Sequence, residues 1–167
     1  MAFIAVGLYV YTCGKRLVIL IKSNCGGMRD TMLRQQRDFE FFKAYQKALE
    51  EQQFANQREA IDYVRTHEAP RWFVSKEHCA AVLSCMARGM EFYKMGKQKK
   101  RKFTELFRLY ALERREHPNA HHLEICETIV NMPAPEWYLE HQIASRIITE
   151  QITLRNNIMS RKYGRDK

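Results

Sequence analysis

The stretch Ala69-Pro70-Arg71-Trp72-Phe73-Val74-Ser75 recurs 65 positions later as Ala134-Pro135-Glu136-Trp137-Tyr138-Leu139-Glu140, and the two hold both tryptophans of the chain. Working outward from them without a gap, residues 40–86 align with 105–151 at nine identities among 47 positions: Glu40/Glu105, Phe42/Phe107, Tyr45/Tyr110, Glu51/Glu116, Ala55/Ala120, Glu59/Glu124, Ala69/Ala134, Pro70/Pro135 and Trp72/Trp137. Ordinary composition would give roughly three by chance. Conservative pairs such as Phe41/Leu106, Val64/Ile129, Val82/Ile147 and Leu83/Ile148 extend the match. Self-similarity at a fixed shift is read first, because it dictates architecture.

Each copy parses alike. A first helix is predicted at about 29–52 and 101–116, with Phe39, Phe42, Tyr45, Ala48 and Leu49 forming one apolar stripe, answered by Phe103, Leu106, Phe107, Leu109, Tyr110 and Leu112. A second helix, about 57–67 and 120–131, runs into the Ala-Pro pair; proline cannot continue it and pushes the preceding alanine toward an extended conformation. The aromatic tripeptide follows, then a third helix at 76–88, with Ser75 as N-cap and Glu77 in its first turn. In the second copy Glu140 is a weaker cap, yet the third helix runs to about Ser160. Seven glycines and four prolines in 167 residues disfavour a turn-rich β fold. The expectation is a mainly α protein of two tandem three-helix units with helix-turn-helix-like character. Ala69, Pro70, Trp72, Phe73, Ala134, Pro135, Trp137 and Tyr138 then form a structural motif whose aromatics plug the core between helices.

The pattern of helix, Ala69-Pro70-Arg71-Trp72-Phe73-Val74-Ser75, then helix resembles a family of small uncharacterised helical proteins of Bacteroides-group bacteria, over residues 28–160 and including the second copy at Ala134–Tyr138. The resemblance implies a fold and a bacterial source, and no activity. A looser likeness is to helix-turn-helix DNA binders. It is weakened by a connection from His67 to Ser75, longer than the usual three or four residues and without glycine.

Charge divides the chain more sharply than hydrophobicity. Residues 28–93 are neutral overall, and the second unit, 103–160, is net acidic by three. The junction 94–102 holds Lys94, Lys97, Lys99, Lys100, Arg101 and Lys102 with no acid, and the tail 161–167 adds Arg161, Lys162, Arg165 and Lys167 against Asp166. Six cations in nine residues suit phosphates read without reference to base, with salt-dependent affinity. The alternative is a solvated linker that keeps the protein in solution. DNA or RNA is therefore the leading partner, bound through Lys94, Lys97, Lys99, Lys100, Arg101, Lys102, Arg161, Lys162 and Arg165, and a protein partner is the competing one.

Catalytic patterns do not emerge: the chain has no phosphate loop, nucleophile elbow or HExxH. No enzyme, cofactor or metal is expected. His117, His121 and His122 cluster, but Pro118 and Asn119 mark a loop and helix start, so a polar role there outranks metal ligation. Five cysteines, Cys13, Cys25, Cys79, Cys85 and Cys126, include no CxxC pair and read as reduced thiols of a cytoplasmic protein, Cys79 in the core and Cys85 incidental.

Residues 1–27 stand apart. Lys15 and Arg16 split two apolar runs, and each would cost roughly 2.5–3.5 kcal/mol in mid-bilayer, so a membrane partner is not expected unless this segment is an anchor. A signal peptide would carry its basic residues before the apolar run. A hairpin turning at Cys13-Gly14-Lys15 fits the β-branched content. The preferred reading takes Met28 or Met32 as the natural start, because 28–38 reads as the polar opening of a helix. A chain beginning at Met28 is then expected to keep its helical circular dichroism and to melt cooperatively; aggregation, or melting without a transition, would make residues 1–27 part of the fold.

Overall fold

Helices form where apolar residues recur at helical spacing and stop where proline or a cap interrupts them. In order they are α1 (Gly27–Glu51), α2 (Gln57–Thr66), α3 (Lys76–Ala87), α4 (Lys97–Glu116), α5 (His122–Asn131) and α6 (His141–Tyr163). The computed structural model describes residues 8–13, 16–21, 27–90 and 95–163, with side chains for 31–90, 95–158 and 160. Ahead of the helices, β1 (Leu8–Cys13) and β2 (Arg16–Ile21) pair antiparallel with Leu8 opposite Ile21. The chain is mainly helical.

The caps are local chemistry. Asn56 accepts the Glu59 N–H at the start of α2, while the Glu59 carboxylate accepts the Ala55 N–H. The Ser75 hydroxyl accepts the His78 N–H at the start of α3. At α5 His121 accepts the Leu123 N–H and Glu124 reaches back to the His121 N–H. Such caps satisfy N–H groups that the helix itself leaves without a partner.

The packing departs from the expected tandem units. α1 lies on α2 and α4 on α5, but α3 packs against α4 and α5, and α6 packs against α1 and α2. Among the described residues neither third helix makes a comparable contact with the helices of its own half. Each three-helix body therefore combines two helices from one half with the third from the other. This also removes the helix-turn-helix geometry, in which α3 would pack back on α2.

The cause is the Ala-Pro motif. Ala69 N–H donates to the Ala134 carbonyl and Ala134 N–H to the Ala69 carbonyl, each at 2.8 Å, an isolated antiparallel bridge between the halves. Trp72 N–H donates to Val130 O and Trp137 N–H to Arg65 O, each at 3.2 Å. The side chains reciprocate as well. Phe73 stacks on Trp137 with ring centres 5.6 Å apart, and Tyr138 on Trp72 at 5.4 Å. Lys76 meets Glu127 at 2.7 Å, and His141 meets Asp62 at 3.0 Å. Each pair maps onto the other under the 65-residue shift, so the two halves sit about an approximate twofold axis at the Ala69–Ala134 bridge.

Phe73 and Tyr138 adopt φ of +48° and +50°, the left-handed region that a bulky aromatic rarely occupies. That strain is of order 1–3 kcal/mol at each. It turns the chain so that the tryptophan before it faces inward and the third helix leaves toward the other half. Trp72 and Trp137 are 2% and 5% exposed, and Phe41 meets the Trp137 ring edge-on at 5.2 Å. Around them Ile61, Val64, Leu83, Leu106, Ile129, Ile147 and Ile148 close the core. Of the stripe predicted on α1, Phe42, Tyr45 and Ala48 are buried while Phe39 and Leu49 are 52% and 47% exposed, and Phe41, outside the stripe, is fully buried where α2 and α6 pack on α1. Leu112 on α4 is likewise exposed.

Exchange of third helices has a direct consequence. Cleavage between Met90 and Met95 is expected to leave both fragments bound as one particle in size-exclusion chromatography. Separated in denaturant and refolded singly, neither should melt cooperatively; mixed, they should regain the transition. Self-contained tandem units would instead part on cleavage and melt independently.

Candidate nucleic-acid interface

From Lys97 onward the basic run is part of a helix, not a connector. α4 starts at Lys97 rather than near residue 101, with Gly96 as an N-cap that offers no side chain and no acidic residue in the first turn. Helix starts carry partial positive charge from unpaired N–H groups. Cations placed there add to that charge, an arrangement that disfavours the helix slightly and attracts anions.

The structure sorts the five described junction cations into different environments. Lys97, Lys99 and Lys100 are exposed, and among the described residues no carboxylate pairs with them. Lys99 lies over the Phe103 ring, 6.0 Å from its centre. Arg101 pairs with Glu136 of the second motif at 3.1 Å. Lys102 is turned inward rather than exposed as the linker reading requires, because α4 packs its next residue, Phe103, into the core beside α3. Burial, then the nearby Arg37 guanidinium, and finally Lys99 pull its pKa down to about 7, against an opposing pull from Cys79. Lys94 and Arg165 lie outside the described residues, and so do the side chains of Arg161 and Lys162.

A groove of about 750 Å³ opens where α4 passes the second motif, with Lys97, Lys100 and Arg101 on one side and Pro135, Glu136 and Tyr138 on the other. Glu136 and Glu105 moderate its charge. Burial and these two carboxylates raise the Tyr138 phenol to about 12. Sequence reasoning placed Tyr138 in the core and missed that its half-buried ring also borders this groove. The motif residues Pro70 and Pro135 are exposed, while Ala69 and Ala134 are buried at the bridge.

The histidines have structural partners. His121 caps α5, and His122 hydrogen-bonds Tyr110 Oη at 2.8 Å and Ser84 Oγ at 2.9 Å, tying α5 to α4 and α3. Glu113, Glu116 and His117 bring ligand-type atoms within 4.8 Å of one another at the end of α4, with Glu116 and His117 exposed. Only His117 of the three belongs to the histidine cluster visible in sequence. Cys79 and Cys126 are fully buried and share a thiol hydrogen bond that pushes Cys79 up and Cys126 down. Cys85, read as incidental, is buried at 2% exposure.

Among the described residues no helix is long and apolar enough to cross a membrane. No known protein family, characterised protein or solved structure matches the chain.

Lys102 generates a pH prediction. Its folded pKa is lowered from 10.5 to about 7, so between those values the unfolded chain holds a proton that the folded chain has released, and stability rises with pH across that window. Below about pH 7 the folded protein carries the charge in its half-buried setting, at a cost in stability. Lys102→Met is expected to flatten the rise between pH 7 and 10 and to increase the melting temperature most at the acid end. Thermal melts of both proteins across that range check it; parallel profiles would show that Lys102 titrates normally.

Proposed function

We propose that this chain is a non-enzymatic helical accessory protein, built as a duplicated unit, that binds nucleic acid without base specificity through the phosphate backbone. The observation that carries the reading is the exposed trio Lys97, Lys99 and Lys100 on the first turns of α4, without carboxylate partners among the described residues and on the helix end where anions are favoured. Three mobile ammonium groups displace counterions from a phosphate backbone and bear no fixed fork for a base edge, which suits affinity without sequence preference. The basic tail residues Arg161, Lys162 and Arg165 add charge by sequence. A bacterial, cytoplasmic setting fits the thiol content and the family resemblance.

A second reading, a protein-interaction module, draws on Leu154 and Ile158, 54% and 57% exposed and one turn apart on α6. Apolar residues at that spacing suit the groove of a partner rather than phosphate.

Lys97, Lys99 and Lys100 changed together to glutamine should leave the melting temperature nearly unchanged, since exposed substitutions usually stay within about 0.5 kcal/mol. Binding to unrelated DNA sequences should weaken alike. The slope of log affinity against log salt should become shallower by about 0.9 for each duplex phosphate that is no longer neutralised. Absence of binding by the unaltered protein to DNA or RNA at low salt would end this reading in favour of the protein-interaction module.

A further inference from the structure

Arg37, Arg65 and Arg71 are the half-buried arginines among the residues whose side chains are described. Asp38 pairs with Arg37 at 2.6 Å and Asp62 with Arg65 at 3.0 Å. Arg71 makes neither an ion pair nor a hydrogen bond among the described residues, and its Nε is buried without a partner. A guanidinium drawn out of water in that state is costly, and a two-pronged, charge-assisted bond to an oxyanion is the contact its fork fits best. The other half shows the same position satisfied. Glu136, the equivalent of Arg71 under the 65-residue shift, holds Arg101 of α4 at 3.1 Å, whereas the equivalent of Arg101 is the neutral Gln36.

Arg71 and Gln36 line a groove of about 560 Å³ bounded by α1, the first motif, the start of α3 and α5. Val74 and Val130, 7% and 2% exposed, give it an apolar base, with the 66%-exposed Met32 beside them. Lys76 lines it too but is held by Glu127 at 2.7 Å, and Glu77 adds a second carboxylate. Two cations against two acids leave the lining neutral overall, which suits one negative charge at Arg71 and disfavours a phosphate that carries nearly two. Asn131 on the rim donates from Nδ2 to the Glu127 carbonyl at 2.9 Å, which leaves its Oδ1 to accept an N–H.

We propose that this groove binds a monocarboxylate with an apolar body, the carboxylate taken by the Arg71 guanidinium and the body lying over Val74, Val130 and Met32. The volume lies within the range of small-ligand sites, and a methionine side chain adapts to apolar groups of different shape. The half-buried stem of Arg71 holds the guanidinium in place, so little side-chain freedom is lost on binding. An apolar amino-acid residue with a free carboxyl end has the required chemistry, whether as a small acylated acid or as the last residue of a peptide. The site does not depend on the nucleic-acid reading.

The test is a titration of the nitrogen-15-labelled full chain followed by two-dimensional NMR, with N-acetyl-leucine, N-acetyl-leucinamide, a short peptide ending in leucine, and inorganic phosphate as probes. The arginine Nε–H signal that disappears in Arg71→Lys identifies Arg71. N-acetyl-leucine is expected to shift that signal and the Val74 and Val130 amides saturably, N-acetyl-leucinamide to leave them in place, and phosphate to bind more weakly. Arg71→Gln should lower the affinity about tenfold or more, the worth of a charged hydrogen bond. Gln36→Glu, an exposed change that puts an acid where Arg101 stands in the other half, should also weaken binding by engaging Arg71, and should raise the melting temperature; it decides the matter if Arg71→Gln fails to fold. A peptide that binds more tightly than N-acetyl-leucine makes a chain end the ligand and equal affinities make it a small acid, and both support the site. No saturable shift, equal responses to the acid and its amide, tighter binding of phosphate, or undiminished binding in the folded variants would overturn it.

Discussion

The reciprocal backbone pair between Ala69 and Ala134 is the constraint on which the rest of this structure depends. Proline ends the second helix of each half and leaves a short extended segment whose N–H and C=O groups are carried into the interior. Such groups must find partners there. Each segment finds them in the other half, through the Ala69–Ala134 bridge and through Trp72 N–H to Val130 O and Trp137 N–H to Arg65 O. Once the segments pair antiparallel, the chains leave them in opposite directions, and each third helix is delivered to the other body. The left-handed backbone at Phe73 and Tyr138 is what lets each segment hydrogen-bond across the axis and still present its tryptophan to the core.

Packing and polarity reinforce that arrangement. The stacked pairs Phe73/Trp137 and Trp72/Tyr138 join the two halves and offset the backbone strain. Asp62 with His141 and Lys76 with Glu127 fasten the start of each third helix to the second helix of the opposite half. The His141 hydrogen bond, followed by that from Arg65, holds the Asp62 carboxyl below the usual carboxylate range. The Arg65 guanidinium also donates to the Leu139 carbonyl at 3.1 Å, so one side chain spans Asp62 and the incoming segment. The equivalent positions hold Lys76 in one half and His141 in the other, each facing a carboxylate of the opposite half.

The same exchange shapes the electrostatics. Packing α3 against α4 draws Phe103 inward and takes Lys102 with it, which separates one lysine of the run from its exposed neighbours. Arg101 is held by Glu136, so the second motif supplies a counter-charge as well as a core plug. What stays exposed without a carboxylate partner among the described cations of the run is a lysine trio at a helix start, with a groove beside it bounded by Tyr138. Structure and charge thus meet at the second motif, and a surface that looks like a plain basic linker in the sequence is graded by burial and pairing.

The sequence by itself determined the local features. Helical spacing, the proline breaks, the Ser75 cap and the equivalence of Trp72 with Trp137 depend on neighbouring residues, and each can be read from a few positions. It also located the basic run. Tertiary structure alone decided which body receives each third helix, because amphipathic spacing shows that a face must be covered and says nothing about what covers it. For that reason Phe41 rather than Phe39 is buried, and Arg37 approaches Lys102 across 65 positions of chain. The start of α4 at Lys97 was obscured by a run of like charge at an uncapped end, where local signals oppose a helix and packing against α3 and α5 supports it.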